Sequence, residues 1–438
     1  MFLFNLLKQS YVNKKVFRYS QEQIKALQQK KFLQLVSFVN QKSPYYQKII
    51  KKYNIAIENC TPEDFPILTK TDLLEHFDEI VTDKRITKAK IAKFLEKSKD
   101  PTELFLNQYI VIHTSGSSGT VSYYIYNQKE FIQGIASTTR ADGIKLFQKL
   151  AFIGATKGHF AGVTMVSIAK KLPFLYTDVQ TFDINGSFTA IIDKLNQMQP
   201  AIISGYAFAL RKLAEAQNEK RLTIKPHLIQ SGGEPLNNQD KAYVQKIFNA
   251  PIINIYAASE HLIMGIGRDS FGGMYLMEDS FIFEIQPTYT NVTNLYNYTL
   301  PLIRYQMSDH LQSIDDKTKL MPFTKIANIV GRKESVPIFI TDNGEEDFIS
   351  PHVLGEFYVK NLNKFQIHLV DKKAFIFKVC LDEHITKEER IITLKKIEEG
   401  LRTILKEKQM TKVKFDIEVV ADFWVDPKTG KFRLITKQ

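Results

Sequence analysis

Between residues 108 and 260 the chain repeats one unit: a short apolar run, a turn, and a stretch with helical apolar period. Ala151–Ala155, Pro200–Gly205, His227–Glu234 and Pro251–Tyr256 read as strands. Gln128–Phe147, Gly186–Met198, Ala207–Asn218 and Asn238–Phe248 read as helices. Parallel strands need crossovers of a dozen or more residues, which such helices supply. The alternation therefore predicts an α/β fold with a parallel-rich sheet flanked by helices. Three of the strands stop at polar or glycine-bearing turns: Ser204-Gly205, Ser231–Glu234 and Ser259-Glu260. Ligands of open α/β sheets bind beyond the carboxyl ends of strands, so these turns are expected to line one crevice.

A fourth turn has a composition of its own. Thr114-Ser115-Gly116-Ser117-Ser118-Gly119-Thr120 separates the apolar run Tyr109–Ile112 from Val121–Tyr126. Glycines let backbone approach a ligand closely, and exposed N–H and hydroxyl groups can converge on phosphate oxygens. A Walker loop needs a Lys and a helix directly after its last glycine. Here Thr120 follows and a strand resumes. On the residues alone, a phosphate cradle and a plain hairpin tip both fit.

A chain of 438 residues exceeds the roughly 250–300 that one core supports, so at least two domains are expected. Helices fill residues 20–60, with Ser20 opening the first and Ser43-Pro44 breaking it. Residues 270–330 are β-rich. Residues 336–438 approximate a β-α-β-β-α-β module: a strand at Val336–Ile340, a helix from Ser350-Pro351 to about Leu362, a hairpin of Phe365–Val370 and Ala374–Cys380, a long amphipathic helix Thr386–Gln409 and a strand Lys412–Val420. The domains are thus 1–331, a hinge at 332–335, and 336–438.

The net charge of +12 favours anionic partners in general. The lysines are spread without a block of like charge, so no nucleic-acid partner is expected. The two cysteines, Cys60 and Cys380, lie far apart and lack metal-ligand spacing, which fits a reducing, cytoplasmic compartment. No apolar run approaches the ~20 residues of a membrane span. The apolar N-terminus, Phe2, Leu3, Phe4, Leu6 and Leu7, allows peripheral membrane contact.

Five stretches stand in an order that resembles the adenylate-forming superfamily of acyl-CoA synthetases, luciferases and peptide-synthetase adenylation domains. They are Thr114–Thr120, Tyr256-Ala-Ala-Ser-Glu260, Arg304-Tyr-Gln-Met-Ser-Asp309, Gly331-Arg332 and Pro427-Lys-Thr-Gly-Lys431. Ser43-Pro-Tyr-Tyr46 and Phe65-Pro-Ile-Leu-Thr-Lys70 resemble the phenylacetate–CoA ligase branch and its capsule-biosynthesis-type relatives. The resemblance implies a large N-terminal domain holding ATP and acid, and a small α+β C-terminal domain that rotates between half-reactions.

It also implies roles. Thr114, Ser115, Gly116, Ser117, Ser118, Gly119 and Thr120 would hold the ATP phosphates. Gly232, Gly233, Glu234 and Pro235 would read the adenine edge, with Tyr256 packed on the ring. Ser259 would touch the α-phosphate and Glu260 would bind magnesium, which prefers carboxylate and phosphate oxygens. Asp309 and Arg332 would take the ribose. Lys431 would bridge the substrate carboxylate and ATP in the transition state, and with Glu260 forms the catalytic pair. His159, Tyr206, Ala257 and His261 are candidates for the acyl pocket. Ala257, Ser259, Ser308 and Glu334 depart from the family's usual Gly, Thr, Gly, and Asp or Lys.

The implied activity is ATP-dependent activation of a carboxylic acid as an acyl adenylate, with release of pyrophosphate. Transfer to coenzyme A would follow. Alternatives are transfer to carrier-protein phosphopantetheine or to an amine or hydroxyl of an envelope glycan, or a non-catalytic nucleotide-binding protein on the same fold.

Overall fold

The computed structural model describes residues 2–115, 121–143, 145–184, 186–234, 236–286, 289–307, 309, 311–327, 337–349, 359, 361–382, 385–421, 423 and 434–437. The chain divides into two compact units. One comprises Met1–Ile112, Tyr123–Thr181 and Leu195–Gly331; the other comprises His113–Ser122, Phe182–Lys194 and Arg332–Gln438.

In the larger unit, strands β1 (Tyr109–Ser115) and β2 (Val121–Asn127) form a two-stranded sheet. The main sheet uses β3 (Gln148–Gly154), β4 (Tyr176–Asp183), β5 (Ile202–Gly205), β6 (Leu228–Gly232), β7 (Ile252–Ala258), β8 (Leu262–Arg268) and β9 (Gly273–Leu276). A three-stranded antiparallel sheet follows, of β10 (Phe281–Ile285), β11 (Thr290–Asn294) and β12 (Tyr305–Met307). Strand β13 (Lys325–Ile326) returns to the main sheet, whose order is β13-β9-β8-β7-β6-β5-β3-β4. Strands β3, β5, β6 and β7 pair in parallel, as the alternation predicts, whereas β7 to β8, β8 to β9 and β9 to β13 are antiparallel. Strands β3 and β5 to β7 are mostly apolar, as expected when both faces are covered.

The helices start where capping chemistry allows. Ser20 and Gln23 form a capping box on Gln21–Lys42. Asn127 and Glu130 do the same for Gln128–Ile135. Glu130 is buried and also accepts from Tyr298 N at 2.9 Å and Thr299 Oγ1 at 2.7 Å, so one carboxylate caps a helix and anchors a distant loop.

Four local elements differ from expectation. Gln128–Phe147 is not one helix but Gln128–Ile135, a 3-10 turn and a short helix Thr139–Asp142, ending at Gly143 with φ +69°. Gly134 explains part of this: a Cβ there would meet Leu262 Cδ1 at 2.4 Å, so the helix lies directly on β8. Helix Ala161–Ala169 was not expected, because it is apolar nearly all round and has no period to read. Neither was β4, an edge strand with polar residues in both registers, nor the N-terminal helix Phe2–Val16.

The smaller unit contains the hairpin β14 (Ile338–Ile340) and β15 (Glu346–Phe348), and a four-stranded sheet of β16 (Leu362–Leu369), β17 (Ala374–Leu381), β18 (Lys414–Val419) and β19 (Ile435–Lys437) in the order β18-β17-β16-β19. Strands β16 and β17 pair antiparallel, and β18 and β19 join their outer edges in parallel. Helix Lys387–Glu407 supplies Ile397, Leu401 and Leu405 to the core of this unit. Leu362 opens β16 rather than closing a helix; most of that expected helix, and the hinge 332–335, lie outside the described residues.

One ion pair in the larger unit is fully buried. Arg140 Nη2 donates to Asp279 Oδ2 at 2.7 Å and to Asn13 Oδ1 at 2.9 Å, with the guanidinium over the Phe323 ring. Burial pushes the Asp279 carboxyl up, but Arg140's charge and hydrogen bond outweigh it and hold the group below its ordinary value. Removing one partner of such a pair leaves a buried charge unpaired, at a cost of about 3–5 kcal/mol. Asp279→Ala is therefore expected to lower the unfolding free energy read from urea titration by that amount, and the double variant Asp279→Leu/Arg140→Met to recover most of it.

Candidate active site

The three predicted turns do line up. Gly205 pairs with Ser231 and Gly232 with Ile255, so the carboxyl ends of β5, β6 and β7 stand side by side. Tyr206 lies across them. Its ring packs edge-on to Phe152 at 6.4 Å, and its hydroxyl accepts from Ala155 N at 3.3 Å. Gly233 has φ +79°, and a Cβ there would sit 3.0 Å from the Tyr206 ring, so both the turn and the ring require glycine. Glu234 Oε2 accepts from Phe208 N at 2.9 Å and so caps the start of helix Ala207–Asn218, which has no side-chain cap of its own at Tyr206.

Strand β7 carries the centre of the site. Its pairing with β8 shifts register between Tyr256 and Ala257. Such a bulge re-aims the side chains that follow it. The Tyr256 hydroxyl donates to Asp309 Oδ2 at 2.8 Å, and Asp309 O accepts from Thr290 Oγ1 at 3.2 Å. Tyr256 is buried, and burial together with the Asp309 charge raises its pKa far above that of an ordinary phenol, so it stays a neutral donor.

Three and four residues further on, Tyr126 donates to Ser259 O at 2.7 Å and Tyr124 donates to Glu260 Oε1 at 3.0 Å. Both tyrosines lie on one face of β2, the strand that leaves the Thr/Ser/Gly loop. Glu260 is reached by solvent, yet protein packs closely around it. Desolvation raises its pKa, opposed by its own backbone, the Tyr124 hydrogen bond and the Lys70 charge, and assisted by the Asp309 charge. Two carboxylates thus act on each other in a recess walled by tyrosines. Lys70 comes from a segment assigned no chemistry by sequence. It begins helix Lys70–Ile80, and a bridge from Leu68 to Tyr305 fixes that segment against β12. Tyr124, Tyr126 and Lys70 are the site residues that sequence reasoning missed. The repeat of tyrosines at period two after the loop was the available signal.

The remaining candidates divide. Thr114 and Ser115 close β1. Ala257 is the next-to-last residue of β7, beside the bulge and partly exposed. His159 is buried on the scaffold side: its Nε2 is 3.0 Å from Ser98 Oγ and its ring stands edge-on to Phe94 at 5.5 Å. His261 is fully enclosed, 5.8 Å from the rings of both Phe281 and Tyr305, and burial pulls its pKa down to about 3, so it is neutral. Neither histidine faces open space. Gly116, Ser117, Ser118, Gly119, Thr120, Pro235, Ser308, Arg332, Glu334 and Lys431 lie outside the described residues.

Comparison with solved structures settles the fold. 2-Hydroxyisobutyryl-CoA ligase, in complex with 2-HIB-AMP and CoA in its thioesterification state, matches with TM-score 0.60 over 97% of this chain and 91% of its own, at 16% identity. The same ligase in its postadenylation state with R3-HIB-AMP matches with TM-score 0.58, covering 97% and 92%, also at 16% identity. This chain has the fold of that ligase. Protein CapK of Staphylococcus aureus is 24% identical over 306 residues, which is 65% of this chain and 62% of that protein. The match therefore spans less than two thirds of that relative's length. No protein-family profile matches the chain. The expected α/β class and the large parallel-rich sheet flanked by helices are both borne out.

The raised pKa of Glu260 has a consequence for stability. Its protonated form is favoured by folding, so its stabilising contribution is complete below the ordinary glutamate value of 4.5 and is lost as pH rises through the raised pKa. Glu260→Gln does not titrate. The variant is expected to melt higher than the parent at neutral pH and to converge with it below pH 4.5, as a pH series of thermal melts will read.

Proposed function

We propose that the chain activates a carboxylic acid by attack of its carboxylate on the α-phosphorus of ATP, expelling pyrophosphate, and then passes the acyl group to coenzyme A. The reading is carried by one observation: on the adenylate-forming fold, Glu260 and Asp309 are held by Tyr124 and Tyr256 beside the carboxyl ends of three parallel strands. Two anions must meet in this reaction, so the site has to align them and offset their charge.

In this reading Tyr256 flanks adenine, Asp309 accepts from the ribose hydroxyls with Arg332 nearby, and the turn Gly232–Pro235 meets the base edge. The Thr114–Thr120 loop holds the β- and γ-phosphates, and Ser259 the α-phosphate. Among the described residues no three acidic, histidine or cysteine side chains gather as a metal cage. Magnesium binds through one or two carboxylates together with nucleotide phosphates. Glu260 is the carboxylate placed to hold it, and the bound ion would offset phosphate charge. Lys431 supplies the cation between the attacking carboxylate and the α-phosphate. In the second step the thiolate attacks the acyl carbonyl carbon and AMP departs. Of the four acyl-pocket candidates, Tyr206 and Ala257 lie nearest the strand ends and are the ones retained beside the acid; His159 and His261 are enclosed in the packed interior.

The test is carboxylate-dependent exchange of labelled pyrophosphate into ATP across a panel of aromatic, aliphatic and hydroxy acids. At least one acid is expected to drive exchange; none doing so with folded protein overturns the reading in favour of a nucleotide-binding role. Lys431→Ala is expected to cut exchange by about 100-fold or more while ATP binding changes little, the scale at which charge-stabilising groups act. Adding coenzyme A to the responsive acid should yield the thioester and AMP. Transfer only to a carrier protein's phosphopantetheine, or to an amine or hydroxyl, would displace coenzyme A and leave adenylation standing.

A further inference from the structure

The N-terminal helix Phe2–Val16 is fixed to the larger unit by one face and presents a different chemistry on the other. Leu6, Ser10, Asn13 and Val16 point inward. Asn13 Nδ2 donates to Ala136 O at 3.1 Å and accepts from Arg140, so the helix is held in register. Outward, Phe4, Leu7 and Tyr11 follow one another at the spacing of one helix stripe, and Phe4 and Tyr11 leave 70% and 73% of their surface exposed. Exposed Lys8 and Lys15 run along one edge of that stripe and Lys14 along the other. The helix contains no acidic residue.

The stripe does not stand alone. Leu6 helps to line a cavity of about 150 Å³ with a mixed wall that also includes Lys145, Gln148, Leu172 and Leu175. Next to those wall residues in sequence are Leu146, Phe147 and Phe174, which are exposed at 53%, 61% and 61%. Phe147 N donates to Phe174 O at 3.0 Å, so the two rings are carried on paired backbone. Exposed Lys145, Lys149 and Lys170 accompany them, and residues 143–149 and 170–176 contain no acidic residue. Asp142, in the cavity wall, is paired with Lys145 at 2.9 Å. Exposed large apolar side chains gathered at one place mark an interaction surface. Aromatic and aliphatic side chains interleaved with lysines, on an element lying along the surface, match the chemistry of an anionic bilayer. No described helix is long and apolar enough to cross a membrane.

We propose that this face seats the protein on an anionic lipid bilayer, with Phe4, Leu7, Tyr11, Phe147 and Phe174 entering the headgroup layer and the flanking lysines meeting lipid phosphates. Leu6 takes no part in insertion, since it belongs to the core of the unit. The proposal stands independently of the adenylation chemistry.

The experiment is co-sedimentation of the full chain with vesicles of phosphatidylcholine, or of phosphatidylcholine with about one third phosphatidylglycerol, at low and moderate salt. Binding is expected at least about tenfold tighter to the anionic vesicles, weakening as salt screens the lysines. Phe4→Glu/Tyr11→Glu changes only exposed side chains. It is expected to lose binding by about tenfold or more with an unaltered melting temperature. Lys8→Glu/Lys15→Glu should remove the preference for anionic lipid. Equal binding to both vesicle types, no binding to either, or full binding by the Phe4→Glu/Tyr11→Glu variant would each overturn the proposal. So would a concentration-dependent dimer that this variant splits, which would make the face a contact between copies.

Discussion

Strand β7 carries two incompatible pairings at once, and the site depends on how it reconciles them. On one side it pairs in parallel with β6, on the other antiparallel with β8. Parallel and antiparallel ladders space their hydrogen bonds differently. The register shift between Tyr256 and Ala257 falls just before the strand ends. After that shift the chain reaches Ser259 and Glu260 within one turn. Tyr256 thereby faces Asp309, and Glu260 faces Tyr124. The parallel half of the sheet supplies a row of carboxyl ends, and the antiparallel half closes the far side of the recess.

The electrostatics of that recess run against stability. Two carboxylates lie close enough to disfavour each other's charge, and burial disfavours the ionised Glu260 further. The tyrosines that hold them are buried deeply enough to stay protonated, so they act as fixed donors. At Glu260 the chain's own Lys70 charge opposes the shift without bonding the carboxylate in any described contact. The Arg140–Asp279 pair in the same unit differs in that the guanidinium donates to the carboxylate directly.

Much of this was legible in the sequence, and the exceptions have physical causes. The elements with strong period and good caps came out close to their real bounds: Ala207–Asn218 and Asn238–Phe248 match, and Thr386 caps the last long helix. Gln128–Phe147 broke because tertiary contact at Gly134 and the positive φ at Gly143 outweigh helical propensity, which is a weak local preference. Ala161–Ala169 escaped notice because a helix covered on all sides has no amphipathic stripe. Among the candidate residues, Tyr256 meets Asp309, and Ser259 and Glu260 meet the tyrosines of β2. Tyr124, Tyr126 and Lys70 went unnamed by sequence, because each reaches these residues from a strand or helix distant in the chain. His159 and His261, offered as acyl-pocket candidates, are both buried beside aromatic rings.

By itself the sequence determined the alternation of strands and helices, the polar character of the strand ends and the order of the motifs, because each is written in local pattern: apolar period, turn residues and spacing. It also determined that residues 2–16 are basic and apolar with no acidic residue. Only the tertiary structure decided which of those apolar side chains face water, that β7 is where the sheet changes direction, and that a carboxylate and a tyrosine 136 positions apart share a hydrogen bond. Those outcomes depend on which surfaces are buried against each other, and burial is a property of the packed chain that no local window of residues contains.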